Sequence, residues 1–445
     1  MKNFKEGGDY VFNFTKQIID AVGSRLPGSE EERKGADLIA KEMEAQIGAK
    51  AVVEEFKVSP TASIGAIPFF GIFSFIALVL FYASPIASLV ITACTLLFAI
   101  LQVFMYTGIF DCLFPRKISK NVFAVLDPPN GEEVKNTIVY SGHNDTSWNW
   151  NLALKNPNTM VVKMVLGIVS ALFLMILSII AIVKGFYYFN IANFSGAANL
   201  VLLCLPIICI PGFYWLTIYL SYDKTIASPG AMDNLTGVGL SIYMAKYFKE
   251  HPEEHPKNCR IIAAGLGSEE AGLKGSTAFV KAHKDDKALL VNPIFLNLDS
   301  FRDYDHFNAV KGDVWLFTRF DKELINFTMD AIKEAGLKGG IIMNPVGGCD
   351  STPFVKAGFR TVTFNAQNPV ATSYYHTKND KYEDLDMNTL YKATEVLMNL
   401  TDKVKQKLQE SKERYLRLLE ERQKNVVLAN GLNEDYQNKI LDDSE

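Results

Sequence analysis

Between Lys57 and Asp111 the chain carries no charged side chain, and this limits what it can fold into more than any other feature. A membrane-crossing helix needs roughly 20 apolar residues, so the stretch has room for two. Gly65 to Ala83 and Ile86 to Phe110 are the natural spans, with Ser84-Pro85 as a tight turn between them. A second block follows: Met164 to Val183 is uncharged, Lys184 interrupts it, and Gly185 to Tyr222 is uncharged again. Two further crossings fit near 164–183 and 198–220, because soluble cores rarely need apolar runs of this length. No span carries an ionisable residue of the sort that marks a substrate path, which argues against a transporter. Basic residues Lys57, Arg116, Lys117, Lys120, Lys155, Lys163 and Lys224 flank one side of the spans, and only Lys184 the other. The positive-inside rule then predicts an integral, multi-pass protein of four spans whose globular part faces the cytoplasm.

The blocks read as insertions into one globular unit. Residues 9 to 47 read as helix, broken at Leu26-Pro27-Gly28-Ser29, with Ser29 and Glu32 in capping-box spacing. A strand over 51–56 follows, and after the first block come short β-rich runs at 121–126 and 137–140, joined by the turn signal Pro128-Pro129-Asn130-Gly131. Beyond the second block the pattern predicts helix 236–250, strand 259–265, helix 274–284, strand 293–299, helix 322–335, strand 360–365 and a helix from 387. Alternating helices and apolar strands imply a mainly parallel sheet covered on both faces. The expected divisions are 1–60, 111–160 and 222–400 for the globular part, 61–110 and 161–221 for the apolar hairpins, and 401–445 for a charged C-terminal helix and tail. Residues 1–20 lack the apolar core of a signal peptide. The six cysteines spell no disulfide framework, which fits a reducing compartment. A net charge of −4 gives a nucleic-acid partner no electrostatic support.

Five separated motifs hold metal-type donors: Ser141-Gly142-His143-Asn144-Asp145, Gly230-Ala231-Met232-Asp233-Asn234, Ser268-Glu269-Glu270-Ala271-Gly272-Leu273, Leu298-Asp299-Ser300 and Tyr375-His376-Thr377. His143, the Glu269-Glu270 pair and Asp299 each follow an expected strand, and ligands of open α/β sheets bind beyond the carboxyl ends of strands. Taken singly, each has a plain structural alternative: a hydrogen-bonded loop histidine, a solvated helix start, a turn aspartate, an N-cap. The joint pattern favours chemistry. His251 and His255 lack the helical His-Glu-x-x-His order and, beside prolines, read as an exposed loop.

In these motifs and their order the chain resembles the co-catalytic zinc aminopeptidases of metallopeptidase family twenty-eight, whose relatives include glutamate carboxypeptidases and glutaminyl cyclases. The resemblance covers about 1–60, 111–150 and 222–400. It implies a three-layer α/β/α zinc-exopeptidase fold with a mainly parallel central sheet, here interrupted by two transmembrane hairpins. It also implies two zinc ions, with cobalt or manganese as substitutes: one held by His143, Asp233 and Asp299, the other by Asp233, Glu270 and His376, with Asp233 bridging. Glu269 resembles the general base. Asp145 resembles the carboxylate that fixes the His143 tautomer. Tyr375 resembles a tyrosine that polarises the scissile carbonyl, and Asp350 a substrate-orienting or ligand-supporting acid. The substrate would be a peptide with a free α-amino group, and the lipid bilayer a partner. A glutaminyl cyclase with one zinc and an inactive membrane scaffold are the alternatives. Two departures stand out: the second apolar block separates His143 from Asp233, and Cys349 precedes Asp350 where a small polar residue is usual.

Overall fold

The computed structural model describes residues 3–63, 67–151, 154, 157–186, 196–219, 222–344, 347–370 and 372–410. The charged tail expected over 411–445 lies outside the described residues. Helix α1 (Phe4–Val22) buries Val11, Phe14 and Ile18, an apolar stripe at helical spacing. Gly23, at φ 68°, ends it. Helix α2 (Glu30–Ile47) starts at Ser29, whose hydroxyl accepts the Glu32 N–H at 3.0 Å. The expected capping box is only half made. Glu32 is fully buried and accepts instead from the Gly28 N–H at 2.6 Å and from the hydroxyls of Ser119 and Ser268, both at 2.8 Å. Three inward donors outcompete the exposed end of its own helix.

The strands are β1 (Val52–Val58), β2 (Lys117–Leu126), β3 (Asn136–His143), β4 (Trp148–Trp150), β5 (Tyr222–Ala227), β6 (Cys259–Leu266), β7 (Pro293–Phe301), β8 (Phe307–Asp313), β9 (Gly340–Asn344) and β10 (Arg360–Ala366). Eight of them form one sheet in the order β1-β2-β6-β3-β7-β10-β8-β9. Its centre is parallel across β6, β3, β7 and β10, and β8 and β9 are also parallel, while β1, β2 and β8 join through antiparallel pairings. Both faces are covered, so each strand alternates between two cores. Ile138 and Tyr140 of β3, Ile261 and Ala263 of β6, and Ile294, Leu296 and Leu298 of β7 face α1, α2 and helix α8 (Thr236–Glu250). Their neighbours Val139, Ile262 and Phe295 face the other way, toward Phe279 of α9 (Lys274–His283) and Phe354 of α11 (Ser351–Lys356). Helices α10 (Lys322–Glu334) and α12 (387–410) complete the first layer.

The apolar blocks form a separate bundle of α3 (Ile67–Ala83), α4 (Pro85–Ala99, continued as a π-turn through Phe104), α5 (Pro157–Val183), α6 (Ala197–Cys204) and α7 (Ile210–Tyr219). Three helical stretches among the described residues are long and apolar enough to cross a membrane: Pro85–Phe104, Val165–Val183 and Asn199–Thr217. The expected first span is a shorter apolar helix, Phe69–Ala83, and Pro206 breaks the last stretch into a 3-10 turn over Leu205–Cys209. The bundle is apolar outside as well as at its centre, where Leu78, Phe81, Leu174 and Phe213 pack together. Val79, Val90, Val183 and Ile208 are exposed on its outside, whereas Ser178 donates to Ser88 at 3.1 Å and Tyr82 to the Leu203 carbonyl at 2.9 Å within.

The second block sits between β4 and β5, which pair antiparallel as a two-stranded ribbon with Trp148 opposite Ala227 and Trp150 opposite Tyr222. The ribbon closes the insertion at its base. That closure lets His143 and Asp233, 90 positions apart, come within 2.9 Å.

Candidate metal centre

Each donor stands where a backbone element ends. His143 is the last residue of β3; Asp233 sits on the turn Ala231–Leu235 that opens α8; Glu269 and Glu270 follow β6; Asp299 is near the end of β7; His376 follows β10. Ser268, Ser300 and His376 adopt φ of 54°, 65° and 54°, left-handed conformations that non-glycine residues rarely take. All three lie in or beside the donor motifs, where tertiary contacts overrule local preference.

Asp233 is the centre of the arrangement. Its Oδ1 is 2.9 Å from His143 Nε2, and its Oδ2 is 3.2 Å from His376 Nε2. Asp299 Oδ1 lies 3.8 Å from the same His143 nitrogen, and Glu270 Oε1 lies 3.1 Å from the same His376 nitrogen. Two donor sets result, His143–Asp233–Asp299 and Asp233–Glu270–His376, each with its ligand atoms within 4.8 Å of one another. The structure thus brings together all five expected ligands in the expected two groups. Glu269 belongs to neither set and lines the same cavity, as does Tyr375, whose ring stacks on His376 at 3.9 Å. Cys349 also lines it, with its thiol 3.0 Å from the Thr363 hydroxyl; Asp350 is buried behind it. His251 lies apart from the cluster, paired with Glu253 at 3.4 Å, and His255 is buried beside Phe248 rather than exposed as its loop context suggested.

The electrostatics explain what such a cluster needs. No lysine or arginine lines the cavity among the described residues. Burial raises Glu269 well above the usual carboxylate range, pushes Asp299 up to about 6 and Asp350 up to about 7. Burial alone would keep the imidazoles neutral, but Asp145 and Asp233 hold His143 well above its ordinary value, and Glu270 and Asp233 push His376 up to about 10. In the protein alone the histidines hold protons because the carboxylates need a counter-charge. Metal cations meet that need with neutral imidazole and ionised oxygen ligands, the donor chemistry suited to zinc, and their binding releases those protons. The residues present therefore fit the metal.

Several supports were not read from the sequence. Asp145, expected behind His143, does lie 3.3 Å from His143 Nδ1, but it also accepts the Glu269 and Glu270 N–H groups at 2.9 and 3.0 Å. Asp380 accepts the N–H groups of Met232 and Asp233 at 2.8 and 3.1 Å and so fixes the bridging turn. Asn234 accepts the Ser300 N–H at 3.1 Å and donates to the Leu298 carbonyl at 2.9 Å, tying that turn to β7. Arg25 is fully buried. Its guanidinium donates to the carbonyls of Asn144, Pro229 and Gly230 at 2.8, 3.1 and 3.0 Å, joining the His143 and Asp233 loops across the base of the inserted block. Of these supports Asp145 was expected from the sequence, and Asp380, which closes the run Tyr375-His376-Thr377-Lys378-Asn379-Asp380, was also within its reach.

Comparison with known proteins gives a family match over part of the chain and a shared fold. The profile of peptidase family M28 matches residues 220–401. Aminopeptidase YwaD of Bacillus subtilis is 29% identical over 188 residues, 40% of this chain and 38% of the relative, so the chain matches well under half of that protein's length. The fold is similar to that of a zinc aminopeptidase from Bacillus subtilis, with TM-score 0.52 and 13% identity over 89% of this chain and 95% of the other. It is also similar to a Zn-dependent exopeptidase from Parabacteroides distasonis, TM-score 0.51 and 12% identity over 88% and 97%. A glutaminyl cyclase from an Acidobacteriales bacterium shares the fold as well, TM-score 0.50 and 15% identity over 90% and 95%.

Proposed function

We propose, from the premise that residues 220–401 belong to peptidase family M28, that the chain is a membrane-anchored zinc aminopeptidase removing N-terminal residues from peptides. The observation that carries this reading is the Asp233 carboxylate, shared between His143 and His376 and flanked by Asp299 and Glu270. His143, Asp233 and Asp299 would hold one zinc ion, and Asp233, Glu270 and His376 a second. When bound, such a pair supplies Lewis acidity toward a substrate carbonyl oxygen and a water molecule.

The chain's own groups do the rest. Glu269, held by its backbone bond to Asp145, takes the proton from the attacking water and returns it to the leaving amine. Tyr375, fixed by its stack on His376, reaches the carbonyl oxygen from the cavity wall. Asp145 orients His143 and the Glu269-Glu270 backbone together. The apolar bundle anchors this machinery in the lipid bilayer.

The test uses the full-length protein loaded with zinc and a panel of aminoacyl fluorogenic substrates. Wild type should release free amino acid and carry about two zinc ions per chain, whereas Glu269→Gln should keep the metal and lose at least ~10²-fold in turnover. Near-normal turnover by Glu269→Gln would sink the assignment of the base. One zinc per chain with release of ammonia from N-terminal glutamine would move the chain to glutaminyl cyclisation instead.

A further inference from the structure

The cavity that holds the metal-site residues does not end at them. It encloses about 280 Å³ and continues between the apolar helices, where its wall includes Phe70 and Ser74 of α3, Leu96 and Phe104 of the α4 stretch, Ala171 of α5 and Leu216 of α7. No acidic or basic side chain lines this part among the described residues, so a charged occupant would be desolvated without a partner. The junction is built rather than incidental. Gln102 donates to Asp111 at 2.7 Å, and the other Asp111 oxygen pairs with Lys274 at 2.6 Å, on the helix that follows the Glu269-Glu270 loop. The Phe104 ring lies 4.6 Å from that of Trp315, and the Ser63 hydroxyl donates to the Ala271 carbonyl at 3.2 Å. Tyr106, next to the end of the π-turn, lines the passage between the two halves.

Length decides which part of a substrate belongs there. From Leu96 to Phe104 the wall runs about 12 Å at roughly 1.5 Å per residue, more than one side chain can fill. An exopeptidase that releases a single N-terminal residue leaves the remainder of the peptide on the carboxyl side of the cleaved bond, and only that remainder is long enough. We infer that the substrate is a membrane-resident peptide whose apolar carboxyl-side portion lies in this passage while its N-terminal residue reaches the metal centre. This rests on the aminopeptidase reading and names the substrate class for it.

The experiment uses the full chain in phosphatidylcholine nanodiscs and a matched pair of substrates, the methylamide and the decylamide of the best amino acid from the panel. Hydrolysis is the same for both: the amide C–N bond breaks, the acyl carbon gains water's oxygen as a carboxylate, and the amine leaves protonated. Wild type should favour the decylamide in kcat/KM, and Ala99→Phe on α4 or Ala171→Phe on α5 should each lower the ratio of decylamide to methylamide by at least ~10-fold, the effect of about two methylenes losing their place. Partition of the decyl chain into lipid is common to all three proteins and cancels. A ratio equal in wild type and both variants, with the methylamide hydrolysed, overturns the passage and leaves the aminopeptidase standing. Binding of the same pair to zinc-loaded Glu269→Gln requires no turnover. A panel with no hydrolysed member refutes the aminopeptidase, and the leucine methylamide and decylamide then test the passage by binding alone: tighter decylamide binding that Ala171→Phe abolishes supports the passage, and equal binding of both amides refutes it.

Discussion

At the scale of single residues, the five donors that the structure gathers were legible because each sits in a short motif with a chemical reason for its neighbours. Apart from Asp145, most of their supports were not. Glu32 reads locally as half of a capping box, yet its carboxyl is fully buried and pushed up to about 8, by burial first and then by Asp145, while it accepts from Ser268 beside Glu269. Arg25 reads as an ordinary basic residue near a turn. Both roles depend on partners more than a hundred positions away, and spacing along the chain carries no trace of them. Different consequences follow for the two central aspartates. Asp233→Ala should empty or scramble both metal positions, because one carboxylate serves both sets. Asp145→Ala should weaken zinc affinity by only ~10–100-fold, the usual effect of a group behind a ligand. Elemental analysis finding two zinc ions still bound to Asp233→Ala contradicts the bridging role.

At the scale of elements, strands with two apolar faces were easy to read and irregular ones were not. β3, β6, β7 and β10 lie close to their expected positions because unbroken β-branched and apolar runs suit a doubly covered sheet. β8 carries asparagine, lysine, glycine and aspartate among its seven residues, and β9 is five residues long, so neither stood out. The β4–β5 ribbon was invisible for another reason: its strands are separated by the whole second apolar block. Helix α10 shows how elements are pinned together. Asp321 caps it by accepting the Leu324 N–H at 3.0 Å, and it also receives the Arg360 guanidinium from the start of β10 at 2.7 Å. Burial opposes ionisation of Asp321, but Arg360 and the Leu324 amide outweigh it and hold the carboxyl below its ordinary value. A depressed folded pKa adds stability that is fully present above the unfolded value of about 3.9 and fades as pH falls through the folded value. Asp321→Asn keeps an N-cap and loses the charge, so it should cost roughly 0.5–1 kcal/mol at pH 7 after solvent screening of Arg360. The difference from wild type in chemical denaturation should shrink below about pH 4. A gap that stays constant from pH 7 to pH 3 contradicts the charge pairing.

At the scale of the whole molecule, the metal centre constrains how the chain can cross a membrane. His143 precedes the second apolar block and Asp233 follows it, yet their side chains lie 2.9 Å apart, so that block must return the chain to the side it left. The same holds for the first block, since β1 before it and β2 after it pair along their full register from Val52–Phe123 to Val58–Lys117. Each block therefore has to act as a hairpin, whatever share of the short helix Phe69–Ala83 lies within lipid. Charge sets the expected sidedness: the basic residues that flank the apolar blocks in sequence lie on the globular side and Lys184 stands alone beyond the far end of α5, so the proposal is that the catalytic domain faces the cytoplasm. Alkaline phosphatase needs an oxidising compartment to form its disulfides, so it reports which side a fusion reaches. Fusions after Pro85 and after Lys184 should be active in a bacterial host, and fusions after Asn130 inactive. The reverse pattern puts the metal centre outside the cell and overturns the cytoplasmic placement, while activity at all three positions breaks the hairpin argument itself.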